Sequence, residues 1–335
     1  MPENSDLPLN HIRLPILITG LSGVPGYALF RYFQKRFPHF VYGIRAVNSH
    51  DVKGLGVLPI DAEDVASHAA AFETYQFGTV IDASGNCALK ACECDAALSK
   101  LLNYTQGVTI ARLAAEYGCA LIRLSTDMVF SGASGEGNYK EEDPKDPIHN
   151  FGKHMSFAEE DIQKLVPEVV ILRVPLPMDY APGGEAGAID WITHRFRPGR
   201  PATLYFDEYR NPIYGGDLCR IVEFILEHSF PSGIYHCGGR RTVSLYEIGQ
   251  IINVVGGFSP ELLQGCNRLE AGPLPPRVGN LAIDCRKLWS LLPREMIRPW
   301  PEMDSLVPDS RDWHKKADRS RFGSAEWIDK LLVQG

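Results

Sequence analysis

The segment Gly20-Leu21-Ser22-Gly23-Val24-Pro25-Gly26 carries the first chemical signal of this chain. Glycines at this spacing let a backbone turn approach a pyrophosphate, and the free amides of a following helix attract its charge. Pro25 suits a first helical turn, where its missing N–H is not needed. Further on, Arg45 closes an apolar run. There it can pair with a ribose 2′-phosphate or stand as a solvated strand end. Thr126 and Asp127 follow another run and offer a hydroxyl and a carboxylate. Arg195, Arg197 and Arg200 crowd one stretch, either as a diphosphate clamp or as a solvated basic face. His154 lies in a helical pattern and titrates near neutrality, whereas His236 reads as structural. Tyr139 and His149 fall in a polar loop and read as surface residues.

The elements that must position these groups are legible from periodicity. Leu14–Thr19 is a strand-length apolar run leading into the glycine turn, and Tyr27–Phe33 continues it as a helix. Similar runs at His39–Ile44, Gly56–Ile60, Gly78–Gly85, Ala120–Leu124 and Val169–Leu172 end in small or polar residues such as Asp61, Ala83, Ser84 and Gly85. Ala88–Gly118 reads as helical. Strands alternating with helices predict an α/β, doubly wound parallel sheet. Beyond Arg173-Val174-Pro175 the pattern loosens, and Ala181–Gly187 has the glycine content of a lid. Trp191–Phe196 and Gly216–His228 read as helices, Thr203–Phe206 and Gly233–Cys237 as strands. After Val307 a charged stretch gives way to an amphipathic end, Trp327–Val333, which can dock on its own body, another subunit or a partner protein.

The 335 residues suffice for one large or two modest domains. A net charge of −7 and a pI near 5.8 argue against nucleic acid or an anionic membrane surface as partner. No apolar run reaches a membrane span, and Met1 to Asn10 are polar, so a cytoplasmic protein is expected. Eight scattered cysteines suit reduced thiols. Cys92-Glu93-Cys94, with Cys87 nearby, lacks a second Cys/His pair at zinc spacing, so no metal is expected.

With these segments in place, the chain resembles the extended short-chain dehydrogenase/reductase superfamily. More narrowly it resembles the dTDP-4-dehydrorhamnose reductase branch, which includes the regulatory β subunit of methionine adenosyltransferase. The resemblance spans roughly residues 13–305. It rests on Thr19-Gly20-x-x-Gly23-x-x-Gly26, Leu124–Gly132, Asp207–Tyr214, Gly233–Gly239 with Thr242-Val243-Ser244 and Glu247, and Pro276–Asp284 with Lys287-Leu288. It implies a Rossmann domain (residues 13–175 plus about 213–238), a substrate lobe (176–212 plus 239–308) and a C-terminal extension (309–335). It also implies NADP(H), favoured over NAD(H) because of Arg45, and a nucleotide-sugar-like ligand or a partner enzyme, with a homodimer as the family's analogy. By the same resemblance Gly20, Leu21, Ser22, Gly23 and Gly26 cradle the pyrophosphate, and Arg45 and Asp61 lie by the adenosine. Ala83, Ser84 and Gly85 lead to the nicotinamide, Asn103 supports the proton relay, Thr126 holds a substrate carbonyl and Asp127 stands beside it.

One part of the family pattern is missing. Such reductases deliver a proton from a tyrosine whose pKa is lowered by a lysine one helical turn on. Here Asn150, Gly152 and Glu159 keep the frame, but Phe151 and Met155 occupy the tyrosine and lysine positions. None of the 13 tyrosines has a lysine four residues later. Lys153 points to another helix face, and His154 is the remaining candidate acid. The sequence therefore favours a catalytically degenerate, cofactor-binding protein. The alternative is an active nucleotide-sugar reductase or epimerase that uses a different proton donor.

Overall fold

The computed structural model describes residues 11–184, 186–319 and 322–333. The polar Met1–Asn10 segment and Glu185 of the lid-like stretch lie outside the described residues. The first half runs β1 (Ile16–Ile18), α1 (Val24–Arg36), β2 (Val41–Arg45), β3 (Val57–Pro59), α2 (Val65–Tyr75) and β4 (Thr79–Asp82). It continues through α3 (Leu89–Cys94), α4 (Ala96–Lys100), α5 (Gln106–Glu116), β5 (Ala120–Ser125), α6 (Asn150–Leu165) and β6 (Val170–Arg173). The second half adds β7 (Leu176–Met178), α7 (Ala188–Phe196), β8 (Ala202–Tyr205), β9 (Tyr209–Arg210), β10 (Pro212–Tyr214) and α8 (Gly215–Glu227). It closes with β11 (Gly233–His236), β12 (Val243–Ser244), α9 (Leu245–Val255) and β13 (Leu263–Cys266).

Seven strands form one parallel sheet in the order β11-β6-β5-β4-β1-β2-β3. The strand period of two sorts its side chains between two cores. Ile16, Ile18, Ile122, Leu124 and Leu172 pack toward α1 and α8, while Leu17, Leu121 and Ile171 pack toward α2, α5 and α6. Both faces are covered, as the near-continuous apolar runs require. This is the doubly wound α/β architecture that the sequence predicts.

Ala88–Gly118 is not one helix. Asp95 adopts extended backbone (φ −135°), and its carboxylate accepts from Leu98 N, capping α4. A capping aspartate satisfies an orphan amide better than it serves a helix interior. A π turn at Leu101–Thr105 then joins α4 to α5 and buries Asn103.

A separate cluster, with Ile189, Phe196, Leu204, Ile248, Ile252 and Trp300, fills the second lobe. The C-terminal end docks on its own body. Ile328 and Leu332 are fully buried in this cluster. Trp300 Nε1 donates to Leu332 O (2.9 Å), Tyr214 OH to Leu331 O (2.9 Å) and Tyr180 OH to Asp329 (2.5 Å). No helix among the described residues is long and apolar enough to cross a membrane.

Candidate functional site

The glycine turn leaves β1 at the carboxyl edge of the sheet, where open α/β sheets bind ligands. Gly20 has φ +71°, and a Cβ there would lie 2.1 Å from Ala83 O. At Gly26 a Cβ would lie 2.2 Å from Gly20 O. Both glycines are therefore demanded by packing. Gly23 differs: its nearest protein atom would be 3.5 Å from an added Cβ, ordinary contact. The fold itself does not require this glycine, and its open side leaves room for an external group to approach the backbone. No side chain caps α1 at Gly23, so its first-turn amides face outward without a partner from a cap, as a phosphate needs. Gly23→Ala is accordingly expected to leave the melting temperature near wild type while weakening dinucleotide binding roughly tenfold, about 1.4 kcal/mol. Paired calorimetric melting and fluorescence titration would check this, and a large drop in melting temperature would count against it.

The other cradle residues divide. Leu21 turns inward; its amide donates to Ile44 O and its side chain is buried in the core, so it supports the turn and leaves the cradle to its neighbours. Ser22 Oγ donates to Ser49 Oγ (2.8 Å), tying the turn to the loop after β2. Arg45 serves that same loop. Its Nε donates to Val52 O and its Nη1 to Ala46 O and Val47 O (2.8–2.9 Å). Those two nitrogens are engaged before any 2′-phosphate arrives. Asp61 accepts from Val47 N (2.8 Å) and so pins the same loop.

Beside the turn lies a cavity of about 200 Å³. Gly23, Ala83, Ser84, Gly85, Ser125, Thr126, Phe151 and Met155 line it, with Cys87 at its exposed rim and Arg210 at its wall. The structure thus brings together the glycine turn, the β4 end and both substituted dyad positions. A wider cavity of about 510 Å³ lies at the opposite, amino-terminal edge of β5 and β6 and lacks these groups.

The frame that holds Phe151 and Met155 is structural. His149 is buried and caps α6, its Nδ1 accepting from Gly152 N (3.0 Å). Burial pushes its pKa down to about 4, so the surface position expected of it gives way to a neutral cap. Asn150 donates to Glu93 and, through Nδ2, to Cys92 O (3.2 Å). A Cβ at Gly152 would sit 2.1 Å from Met128 O. Glu159 is buried, bonded by Arg173 (2.9 and 2.8 Å) and by Ser125 Oγ (2.6 Å). Tyr139 stacks on Phe130 at 4.4 Å and is half-buried rather than a surface residue.

Further sequence-based expectations need correction. His154 does not line the cavity; it lies on the face of α6 next to Phe151, where its Nδ1 meets Ser99 Oγ of α4 at 2.9 Å. Burial and the neighbouring Lys100 and Lys153 lower its pKa, so it is a neutral packing residue. Asn103 reaches the site only indirectly: its Oδ1 accepts from Asn86 N (2.7 Å), because the π turn aims it at the β4 loop. Asp127 is fully buried and clamped by Arg210 through two bonds of 2.6 Å, which leaves it no part in the cavity wall. Thr126 does line the cavity, although its Oγ1 also accepts from Met128 N (3.1 Å).

The substrate arginines do not converge on this cavity. Arg195 lies over Trp191 and donates to Pro201 O, whereas Arg197 and Arg200 line a different hollow with Tyr180, Asp190 and His194. Sequence reasoning passed over two buried arginines that do belong here. Arg210 joins Asp127 to Glu208, whose carboxyl burial raises to about 7 against the pull of Arg210 and Arg277. Arg123, on β5, donates to Asp82 (2.7 Å) and Ser84 Oγ (2.8 Å) and lies 3.4 Å from Met155 Sδ. Arg123 signals itself in the sequence as a charge inside an apolar strand, which burial makes costly unless it is paired, whereas Arg210 stands beside Asp207-Glu208-Tyr209 and Asn211 and gives no such signal. His236 is buried between Arg173 and Asp284 O, a structural residue as its sequence context suggests.

The family model of the RmlD substrate binding domain matches residues 14–302. The chain belongs to that family. Among its relatives is the methionine adenosyltransferase 2 subunit beta of Danio rerio, 23% identical over 82% of this chain and 83% of the relative. A solved dTDP-4-dehydrorhamnose reductase from Bacillus anthracis, in complex with NADP, superposes with TM-score 0.72 at 16% identity, covering 91% of this chain and 98% of that one. The Bordetella bronchiseptica enzyme WbmG, in complex with NAD and UDP, gives TM-score 0.72 at 18% identity over 96% and 97%. At these identities the superpositions speak for the fold.

Proposed function

We propose that this family member binds a nicotinamide dinucleotide at the glycine turn and a nucleotide-sugar-like ligand beside it, without the reduction its fold was built for. The observation that carries this reading is the cavity wall. Phe151 and Met155 stand, buried, where a tyrosine and lysine would move the proton. Among the described residues, the protic groups remaining at the wall are Ser84, Cys87, Ser125, Thr126 and Arg210. Ser125 donates its proton to Glu159, and Thr126 bonds Asp127 and caps the following turn. Neither has a phenol's acidity or a lysine beside it. The unrequired glycine at 23 supports retention of the dinucleotide. When bound, that group would supply a hydride at the cavity, and Gly20, Gly23, Ser84 and Gly85 would hold and orient it. NADP over NAD rests on Arg45, whose Nη2 alone has no bond to the loop.

The test is a fluorescence titration with NADPH and with NADH, followed by turnover assays on dTDP-4-dehydrorhamnose. Saturable binding of either cofactor, without cofactor oxidation, is the expected result. Robust wild-type turnover would establish an active reductase with another proton donor and overturn the degenerate reading. Absence of dinucleotide binding would overturn both.

A further inference from the structure

We propose that Arg123 has taken over the electrostatic place of the lysine that Met155 replaces, and that the two positions are mutually exclusive for a cation. The inference rests on the reading of the cavity as a dinucleotide site. Arg123 lies on β5 two residues after Leu121, on the same face, which α5 and α6 cover. It is 1% exposed. Its strand neighbour in register is Asp82 of β4, and the two side chains pair at 2.7 Å. Asp82 also accepts from Thr19 Oγ1 (2.5 Å) and from Ser84 N (3.0 Å). The guanidinium is thereby anchored under the end of β4, the segment that leads to the reacting end of a bound dinucleotide.

Two contacts give this cation a role beyond neutralising Asp82. Nη1 donates to Ser84 Oγ at 2.8 Å. Ser84 lines the cavity, and accepting from a cation polarises its hydroxyl for donation outward, toward a ribose hydroxyl or carbonyl. Nη2 meets the Met155 sulfur at 3.4 Å. The thioether is an uncharged, polarisable lid on the guanidinium. A lysine at 155 would set its aliphatic chain against Arg123 and a second full charge within a few ångströms, in a place where screening by water is weak. The helix beneath has made room for the arginine as well. A Cβ at Gly107 of α5 would lie 3.2 Å from the Arg123 guanidinium carbon. Gly107, Arg123 and Met155 thus fit one another as a set, in which the positive charge has moved from α6 to β5 and acts through Ser84. Arg123 is a positioning residue in this arrangement, since Ser84 and Met155 stand between it and the cavity.

The experiment compares the full chain with Met155→Lys, Met155→Gln, Arg123→Gln and Arg123→Gln/Met155→Lys. NADPH and NADH affinity and melting temperature are read for each. Charge exclusion predicts that Met155→Lys binds at least about tenfold more weakly and melts lower than Met155→Gln, which has similar reach without the charge. Adding Arg123→Gln to Met155→Lys should recover most of that loss, because the new lysine inherits Asp82. Equal behaviour of Met155→Lys and Met155→Gln would overturn the proposal, as would a double variant whose defects merely add. Should Arg123→Gln alone fail to fold, the lysine–glutamine comparison still decides. Should the wild type bind no dinucleotide, the functional reading and the ligand role of Arg123 fall together, while the melting temperatures still decide whether positions 123 and 155 exclude a second cation.

Discussion

Glu159→Ala is expected to reduce unfolding free energy by about 3–5 kcal/mol, the scale for stripping one partner from a buried ion pair. A single domain has roughly 5–15 kcal/mol to lose, so the variant should sit near the edge of folding. Both Glu159 and Arg173 are 1% exposed, and alanine would strand Arg173 with His236 Nε2 and a backbone carbonyl. It would also leave Ser125 Oγ at the cavity wall without its acceptor. The pH dependence has a definite sign. Burial by itself raises the Glu159 carboxyl, but the bonds and charge of Arg173, with Ser125 and Lys145, outweigh it and hold the group below its ordinary value. A depressed acid contributes fully above its unfolded pKa of about 4.3 and loses that contribution as pH falls through the folded value. The gap between wild type and variant in urea unfolding should therefore stay constant through neutral pH and narrow only in acid. A loss below about 1 kcal/mol at pH 7, the scale of an exposed pair, would contradict the assignment.

Glu159 also shows what the sequence could and could not convey. Its place in the frame with Asn150 and Gly152 was legible, since spacing along one helix is a local property. Its reason was not, because Arg173 reaches it from the next strand. The same division runs through the molecule. The glycine turn, the apolar runs and the two-faced sheet follow from nearest-neighbour patterns, and they appear where periodicity puts them. Arg123 and Asp82 are separated by a helical crossover and meet through the β4–β5 register. Arg210 and Asp127 meet across an interval that holds α6, β6, β7, α7 and β8. Asn103 is placed by its position along a helix, but the break at Asp95 and the π turn after it rotate that face, while His154 sits on an unbroken α6 that α4 covers. Asn103 then serves the β4 loop, and His154 packs on Ser99. A charge inside an otherwise apolar strand is the clue that points to Arg123, and it names only one partner.

Phe151→Tyr alone is expected to yield no turnover of dTDP-4-dehydrorhamnose with NADPH, even though it restores the proton. A phenol needs a nearby cation to release its proton near neutral pH, and both cations here are engaged: Arg123 lies below Met155, paired with Asp82, and Arg210 is clamped to Asp127. Adding Met155→Lys places the second charge beside Arg123 and should destabilise the site before it helps. Only the triple variant, Phe151→Tyr with Met155→Lys and Arg123→Gln, returns the charge to α6, where it can face both the phenol and the dinucleotide. Positioned general acid catalysis contributes about 10²- to 10⁴-fold, so the triple variant should exceed Phe151→Tyr by that order in cofactor oxidation. Ser84 keeps its place in either background through the hydrogen bond its backbone N–H donates to Asp82 Oδ1, so the difference reports the cation rather than the loop. Two inactive variants would contradict the gain expected of the triple. Equal and measurable rates for Phe151→Tyr and the triple variant would mean that the charge on β5 already serves a phenol at 151. The loss of the relay would then lie in one residue instead of two.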